Sequence, residues 1–343
     1  MHPLPATSRE LRLKVRPTSR PKVSDFEIVE VALPVAQNDE VLVRNRYSRV
    51  SASLRMMISE GAEAIPGVPF PALKPGDTLA EETLGEVLSS PPGSELRPGD
   101  RVRHFMGWRE YAAVPLAECV RVDSRVYPDV ASLSHGSTAY AALTRGVEIR
   151  PGDTVLITSA AGAIGSMAGQ IARQLGAGRV IGSTSSRQKA GRLVKELGYD
   201  AAVIRGSGSD VAQLREVAPE GIDVVLDCVG GEQLQSAIVA ARPGARIAIV
   251  GALSGQLADA GTGREAPVEL DSVQILLKKI TIRGYSADDD PDAHAEWDTR
   301  FAEWLQTGDI VFPHVIVNGI ERAPEAIQAI AEGRYFGTVF VEF

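Results

Sequence analysis

From residue 154 onward, short apolar runs alternate with segments whose apolar residues recur at helical spacing. The apolar runs predict strands and the amphipathic segments predict helices. One strand is predicted to begin at 154, and the others at 180–184, 203–204, 222–227, 245–251 and 280–284. Helices are predicted at 187–197, 211–217 and 234–241. This alternation is typical of a doubly wound parallel sheet, the Rossmann type of α/β fold.

The rest of the chain follows a different pattern. Residues from about 10 to 125 are strand-like, with proline and glycine between the runs and little helical period. The last fifty residues predict a helix at 293–307, a strand at 314–317, a helix at 323–332 and a strand at 338–341. We therefore expect a mostly β domain at 1–125, a Rossmann domain at 126–292 and a C-terminal part, 293–343, that completes the first domain.

The turn after the strand at 154 carries the clearest chemical signal. Gly162, Ala163, Ile164 and Gly165 are small or apolar, and a helix pattern follows them at once. Small residues let a pyrophosphate approach free backbone N–H groups at the start of a helix. A tight turn without a ligand would give the same short motif. The loops at 183–189, 228–231 and 251–254 share the same sheet edge, so the whole pattern favours dinucleotide binding.

The loop after the second strand of this sheet predicts which dinucleotide binds. An NAD site usually places an acidic residue there, to accept a hydrogen bond from the ribose 2′-hydroxyl. Residues 183–189 contain no acid but offer Ser183, Thr184, Arg187 and Lys189, which suit the 2′-phosphate of NADPH. The alternative is that Arg187 and Lys189 are only the solvated first turn of a helix. Cations there oppose the helix dipole, which favours an anionic ligand nearby.

Composition excludes several other classes of protein. The formal net charge is −8, which argues against a nucleic-acid-binding surface. The basic N-terminal stretch, 9–22, is followed by no apolar core, so we expect no membrane segment and interpret its charges as a solvated strand face. Cys119 and Cys228 are the two cysteines, and we expect buried free thiols in a reducing cytoplasm. The five histidines show no ligand spacing, so we expect no zinc site.

Motifs spread along the chain resemble one family. The matching segments include 40–45 (Glu-Val-Leu-Val-Arg-Asn), 107–111 (Gly-Trp-Arg-Glu-Tyr), 169–172 (Gly-Gln-Ile-Ala), 195–200 (Lys-Glu-Leu-Gly-Tyr-Asp) and 229–231 (Val-Gly-Gly). The chain resembles zinc-independent members of the medium-chain dehydrogenase/reductase superfamily, and most closely the branch of prostaglandin reductases and plant alkenal double-bond reductases. This resemblance implies a GroES-like barrel beside the Rossmann domain, a cleft between them and a homodimer joined through edge strands at 280–284.

The resemblance also assigns residues to the cofactor. Lys189 matches the basic residue that binds the 2′-phosphate in the family, whereas Arg205 replaces its tyrosine partner and would stack on adenine or pair with phosphate. The further positions implied for the cofactor are Cys228, Val229, Gly230, Gly251, Leu253, Phe336 and Gly337.

The substrate side departs from the family pattern. A family tyrosine near the substrate is Ser53 here, a second is absent from 252–256, an asparagine is Cys228, and the C-terminal Asn-x-Gly-Lys reads 335–338 (Tyr-Phe-Gly-Thr). Thr138 and Tyr140 occupy positions close to where the nicotinamide is expected. We take Tyr285, Ser53, Thr138 and Tyr335 as the candidate catalytic residues.

These observations predict an NADPH-dependent, zinc-independent reductase that transfers hydride to an activated carbon–carbon double bond of an enone or polyene. The substitutions leave other functions open. An unquenched carbanion would permit ring closure, so one alternative is a reductive cyclase of a polyketide or macrolactam pathway. A quinone oxidoreductase and a non-catalytic NADPH-binding protein are the others. The acidic pairs at 81–82 and 288–290 are interpreted as solvated surface without a role.

Overall fold

The first part of the chain forms short strands in the computed structural model, which describes residues 4–64, 72–122, 128–259, 262–286 and 290–343. The strands are β1 (Thr7–Leu13), β2 (Phe26–Ala32), β3 (Glu40–Val50), β4 (Thr83–Ser89), β5 (Arg101–His104), β6 (Tyr111–Pro115) and β7 (Val120–Arg121). One short helix, α1 (Leu54–Ile58), follows β3. Buried and partly exposed residues alternate along β5 and β6, as expected when one face of a strand packs on a core.

The middle of the chain alternates strands and helices as the sequence predicts. Helix α2 (Gly136–Ala141) continues into a π-helical turn and leads into this part. The strands are β8 (Thr154–Ile157), β9 (Arg179–Thr184), β10 (Ala201–Ile204), β11 (Ile222–Asp227), β12 (Ala241–Ile249) and β13 (Thr281–Gly284). The helices are α3 (Gly165–Gln174), α4 (Arg187–Leu197), α5 (Asp210–Val217), α6 (Gly231–Ala240), α7 (Leu253–Gln256) and α8 (Ser272–Lys278).

These six strands form one sheet in the order β10-β9-β8-β11-β12-β13, and every neighbouring pair is parallel. The strand order reverses between β8 and β11, which is the topological switch point of a doubly wound sheet. The predicted Rossmann fold is therefore confirmed. Ligands of such sheets lie beyond the carboxyl ends of the strands, so the loops after β8, β9, β11 and β12 surround the expected site.

The C-terminal residues return to the first sheet. They form α9 (Pro291–Thr307), β14 (His314–Asn318), α10 (Ala323–Ala331) and β15 (Thr338–Glu342). Strand β15 pairs antiparallel with β3, and β14 pairs parallel with β15, so both extend the mostly β sheet that begins near the N-terminus. The predicted combination of a Rossmann domain with a mostly β domain is confirmed, whereas the boundaries at 125 and 292 stay predictions.

Some element ends differ from the predictions. Helix α6 begins at Gly231 because the left-handed backbone of Gly230 (φ 74°) turns the chain directly into the helix. Strand β12 begins at Ala241 and contains a register shift against β11, which absorbs the residues expected to form a loop. Within the described residues, no helix is long and apolar enough to cross a membrane.

Candidate functional site

A cavity of about 1250 Å³ lies where the two sheets meet. One side of it consists of the loops at the carboxyl ends of the Rossmann strands, and the other side consists of residues from the mostly β domain. All four candidate catalytic residues line it: Ser53, Thr138, Tyr285 and Tyr335. Single small-molecule sites usually occupy about 300–1,000 Å³. This cavity is therefore large enough for a dinucleotide together with a second molecule.

Most of the residues predicted to bind the cofactor line the same cavity. They are Gly162, Ala163, Ile164, Gly165, Ser183, Thr184, Lys189, Arg205, Cys228, Val229, Gly230, Gly251, Leu253 and Gly337. Arg187 and Phe336 do not line it. Arg187 is exposed in the first turn of α4, and the Phe336 ring packs into the core, with the Arg192 guanidinium 3.9 Å from its centroid. The prediction that Arg187 and Phe336 contact the cofactor is therefore not supported by their positions, which lie outside the cavity wall.

The turn between β8 and α3 is closed tightly. A Cβ at Gly165 would lie 2.4 Å from the Ser159 carbonyl oxygen and 2.5 Å from Ala160 Cα, so only glycine fits. Ser159 itself has a left-handed backbone (φ 51°), which is uncommon for a residue with a side chain. The fully buried Tyr199 hydroxyl donates a hydrogen bond to the Gly165 carbonyl at 2.6 Å and holds the helix start in place. Ser166 and Met167 already donate their N–H groups to the carbonyl oxygens of Gly162 and Ile164, so the N–H groups that this turn offers to a phosphate are those of residues 163–165.

Lys189 connects the Rossmann domain to the C-terminal loop. Its Nζ donates to the carbonyl oxygen of Gly333 at 2.6 Å and also to that of Tyr335. Burial lowers the pKa of Lys189 from its usual value, although two carbonyl oxygens accept hydrogen bonds from its ammonium group. Arg205 lies in the same cavity wall, directly after β10. Lys189 and Arg205 supply two cationic side chains to this part of the cavity, and residues 183–189 include no acid. This cationic corner of the cavity therefore suits an additional phosphate.

Asp227 has a role that the sequence reasoning missed. Its carboxylate is fully buried at the end of β11 and accepts hydrogen bonds from Thr158 Oγ1 at 2.7 Å, Val229 N–H at 3.1 Å and Gly230 N–H at 2.9 Å. Thr158 in turn accepts the Cys228 N–H at 2.8 Å. Burial raises the pKa of Asp227, and its hydrogen bonds oppose that rise. An acid that follows three apolar residues at the end of this strand was the signal in the sequence for a residue that shapes the loop.

Tyr285 and Thr138 lie on the cavity wall between the domains. The Tyr285 hydroxyl donates to Asp290 Oδ2 at 3.3 Å, and burial raises the pKa of this phenol above its usual value. Thr138 belongs to α2 and faces the same cavity. Tyr140 does not line it, because its ring is buried among the tryptophans of α9 and its hydroxyl donates to Glu296 at 3.1 Å.

The interpretation of the acidic pair at 81–82 as solvated surface is wrong. Glu81 is 3% exposed, and its Oε1 lies 3.2 Å from Arg49 Nη2. Glu82 lines the cavity, with its carboxylate 2.9 Å from Arg49 and 3.9 Å from Arg103. The partner guanidiniums come from neighbouring strands, which a local sequence pattern does not reveal. Of the second acidic run, residues 288–289 lie outside the described residues.

Metal ligands can be assessed only in the described part of the chain, where no group of three or more His, Cys, Asp or Glu side chains is placed to hold an ion. Cys119 and Cys228 are both free thiols, and Cys228 is buried. Burial raises the pKa of Cys119 to about 11 and that of Cys228 further. Neither thiol is therefore a ready nucleophile at neutral pH.

A Rossmann sheet, a closed phosphate turn and an interdomain cavity define a dinucleotide-dependent oxidoreductase. Two family models match the chain: "Zinc-binding dehydrogenase" over residues 163–307 and "N-terminal domain of oxidoreductase" over residues 9–122. The chain is 30% identical to prostaglandin reductase 1 of Bos taurus, over 94% of this chain and 95% of the relative. It is 27% identical to the 2-alkenal reductase (NADP(+)-dependent) of Nicotiana tabacum, over 96% of each chain.

Among solved structures, CurA in complex with NADPH from Vibrio vulnificus superimposes with a TM-score of 0.87. That chain is 26% identical, and the match covers 97% of this chain and 98% of CurA. The chain belongs to the medium-chain dehydrogenase/reductase superfamily, in the zinc-independent branch that contains the prostaglandin and alkenal reductases. The resemblance found in the sequence is confirmed.

Proposed function

We propose that this protein is an NADPH-dependent reductase that adds hydride to the activated carbon–carbon double bond of an enone or polyene. The observation that carries the proposal is the cavity, which joins a closed phosphate turn and a cationic corner to a separate wall of hydroxyl-bearing side chains. The membership of the chain in the reductase branch supports the same reaction class. An NADP-dependent oxidoreductase is the coarser conclusion, and the alkene substrate is the proposed refinement.

The described residues fit NADPH. The turn at 162–165 would hold the pyrophosphate, because the tight approach at Gly165 leaves no room for a side chain beside the helix start. Lys189 and Arg205 would hold the 2′-phosphate. The loop that Asp227 fixes, together with Gly251 and Leu253, would bind toward the nicotinamide end. When bound, NADPH supplies the hydride, and the protein supplies binding, orientation and exclusion of water.

On the substrate side, the protein must stabilise an enolate oxygen and return a proton to the neighbouring carbon. Tyr285 is the strongest donor candidate. Its phenol has one hydrogen, which it donates to Asp290 over 3.3 Å, and the enolate oxygen would replace Asp290 as the acceptor of that hydrogen. Thr138 lies on the same wall and offers a second hydroxyl. We assign Tyr285 to the enolate oxygen and Thr138 to positioning near the nicotinamide.

The test is a comparison of cofactors and substrates with purified protein. NADPH oxidation is followed with an aryl enone and with a simple quinone, and each product is identified by mass spectrometry and NMR. We expect the saturated ketone as product and a strong preference for NADPH over NADH. Rapid turnover of quinone alone would establish the quinone oxidoreductase instead. Tight NADPH binding without turnover of either substrate would establish the non-catalytic protein.

Ring closure after hydride transfer is the second candidate. It is favoured by the small side chains at Ser53 and Cys228, where the family has a tyrosine and an asparagine, because fewer groups are then available to quench a carbanion. Such a carbanion would form a new carbon–carbon bond by attacking a second electrophile in the same substrate. Incubation with NADPH and a polyene that carries two electrophilic centres distinguishes the two outcomes, since a reduced but acyclic product would exclude the cyclase.

We also propose that the protein is a homodimer of the cytoplasm. Strand β13 is the edge of the six-stranded sheet, and α8, the helix before it, exposes Val273, Leu276 and Leu277 at 59%, 73% and 73%. Exposed apolar residues beside an unpaired strand edge suit association with a second copy. Light scattering should give a dimer mass that falls to the monomer in Leu276→Glu but not in Val35→Glu, a change at a remote exposed residue. An unchanged dimer in Leu276→Glu would place the contact elsewhere.

A further inference from the structure

A buried carboxylate lies directly behind the wall of the candidate active site. Glu81 Oε1 accepts hydrogen bonds from Arg49 Nε at 3.3 Å, Arg49 Nη2 at 3.2 Å and the Glu82 backbone N–H at 3.0 Å. Arg49 and Glu82 both line the cavity, whereas Glu81 is 3% exposed. A carboxylate paired in this way with a guanidinium is ionised, so it accepts hydrogen bonds and has no hydrogen to donate.

Two serine hydroxyls connect this carboxylate to the cavity. Ser51 Oγ lies 2.5 Å from Glu81 Oε2 and 2.7 Å from Ser53 Oγ. A hydroxyl has one hydrogen to donate and two lone pairs. Because the carboxylate can only accept, the Ser51 hydrogen goes to Glu81. Ser51 is then left to accept, so the single hydrogen of Ser53 goes to Ser51.

Ser53 consequently presents lone pairs, and not a hydrogen, to the cavity. It occupies the N-cap position of α1 but makes no side-chain capping bond, so its oxygen is not used by the helix. Within the described residues, its one side-chain hydrogen bond is that to Ser51. An oxygen that lines the cavity with lone pairs available can pair only with a donor group.

We infer that Glu81 sets the direction of the chain Ser53–Ser51–Glu81, so that Ser53 binds a hydroxyl or amide N–H of the substrate. Ser53 is thereby a specificity-determining residue for substrates that carry a hydrogen-bond donor besides the enone. It does not donate to the enone carbonyl or to the enolate oxygen, which is the role expected of a catalytic residue at this position. Glu81 acts through Ser51 and is a positioning residue. The inference rests on the proposed function for the choice of enone-type ligands.

Replacement of Glu81 by glutamine offers a sharp test, because Arg49 also orients the amide. The guanidinium only donates, so it attracts the amide oxygen and turns the amide NH₂ toward Ser51. Ser51 then accepts from the amide and donates to Ser53, and Ser53 donates into the cavity. The Glu81→Gln variant therefore reverses the chain while keeping its shape. Ser53→Ala removes the end of the chain and is the matched control.

The probes are saturated aryl ketones with a phenol hydroxyl at the ortho, meta or para position, each compared with its methyl ether. Binding to the protein in the presence of NADP⁺ is measured by calorimetry, so the result does not depend on turnover. We expect wild-type protein to bind at least one phenol about tenfold more tightly than its ether, as one good hydrogen bond provides. The preference should disappear in Ser53→Ala and also in Glu81→Gln, where Ser53 donates and the phenol and ether oxygens accept alike.

Thermal unfolding and NADPH binding of each variant show whether it folds. A wild-type preference below twofold at all three positions would overturn the inference. A preference that persists in Ser53→Ala, or in a folded Glu81→Gln protein, would also overturn it. Failure of the proposed function is separate, since it would appear as absence of enone reduction whatever the binding preference.

Discussion

His104 gives the protein a specific sensitivity to acid. This side chain is 4% exposed at the end of β5, and its Nδ1 accepts a hydrogen bond from the Met106 N–H at 3.1 Å. The proton of the neutral ring is therefore on Nε2, which donates to Asn45 Oδ1 at 2.9 Å. The Asn45 amide is oriented by its own bonds to the carbonyl oxygens of Met106 and Arg109. Protonation of Nδ1 would break the bond from Met106 and leave a charge buried.

The effect of His104 on the free energy of unfolding follows from the difference between its pKa values in the folded and unfolded states. Burial, with a smaller effect of the Arg109 charge, lowers the pKa of His104 from 6.5 to about 4. Since the folded protein holds the neutral ring, the unfolded chain takes up the proton first as the pH falls below 6.5. At about 1.4 kcal/mol per pKa unit, His104 contributes about 3 kcal/mol above pH 6.5, which is lost progressively toward pH 4. About 2 kcal/mol of it is lost by about pH 5.

The assay is urea unfolding of wild-type protein and His104→Gln at about pH 8 and about pH 5, followed by circular dichroism and fluorescence. Wild-type protein should lose about 2 kcal/mol more free energy of unfolding between the two pH values than the variant does. The pKa of His135 is also lowered by burial, and it acts in the same direction in both proteins. Equal losses in the two proteins would refute the reasoning, whatever the absolute stability of the variant.

Three further predictions concern the cofactor and the substrate. Gly165→Ala should lower the melting temperature by several degrees, because the added Cβ would lie 2.4 Å from a backbone oxygen. In Gly162→Ala the added Cβ has no contact closer than 3.2 Å, so this variant should keep the fold and weaken NADPH binding. Equal melting temperatures would count against the described turn. Lys189→Met should raise the KM for NADPH by about 10- to 100-fold and leave that for NADH nearly unchanged, in steady-state kinetics. An equal rise in the KM for NADPH and for NADH would show that Lys189 does not bind the 2′-phosphate. Tyr285→Phe should lower the kcat with an enone by about a hundredfold and leave the affinity for NADPH unchanged. A variant that reduces the enone at the wild-type rate would show that Tyr285 has no role in the reaction.

Local signals in the sequence were sufficient for the Rossmann domain. Helix α4 runs from 187 to 197 as predicted, because Ser186 caps its start by accepting the Lys189 N–H and Gly198 ends it in the left-handed conformation. Each of these signals lies within a few residues of the helix it bounds. The same is true of the phosphate turn, where residue size and position relative to strand and helix carry the information.

Features that depend on distant partners were not predictable. The burial of Glu81 depends on Arg49 from a neighbouring strand, and the sequence around 81–82 resembles a solvated acidic pair. Lys189 meets carbonyl oxygens 144 and 146 residues further along the chain. Phe336 lies between two residues of the cavity wall, yet its own side chain packs inward. In all three cases the tertiary partner decides the environment, so the local pattern alone is insufficient.

Strand β3 pairs with β15, which is synthesised much later, so the mostly β sheet does not form in the order in which its strands are made. Strand β3 leaves the ribosome early, whereas its partner β15 begins only at Thr338. The six Rossmann strands all lie between 154 and 284, so that sheet has every strand available while the C-terminal segment is still being made. The mostly β sheet is thus completed after the Rossmann sheet. Residues 40–44 of β3 pair with β6, but residues 47–50 lack their partner until β15 is made, so this half of the strand is exposed to premature association during translation.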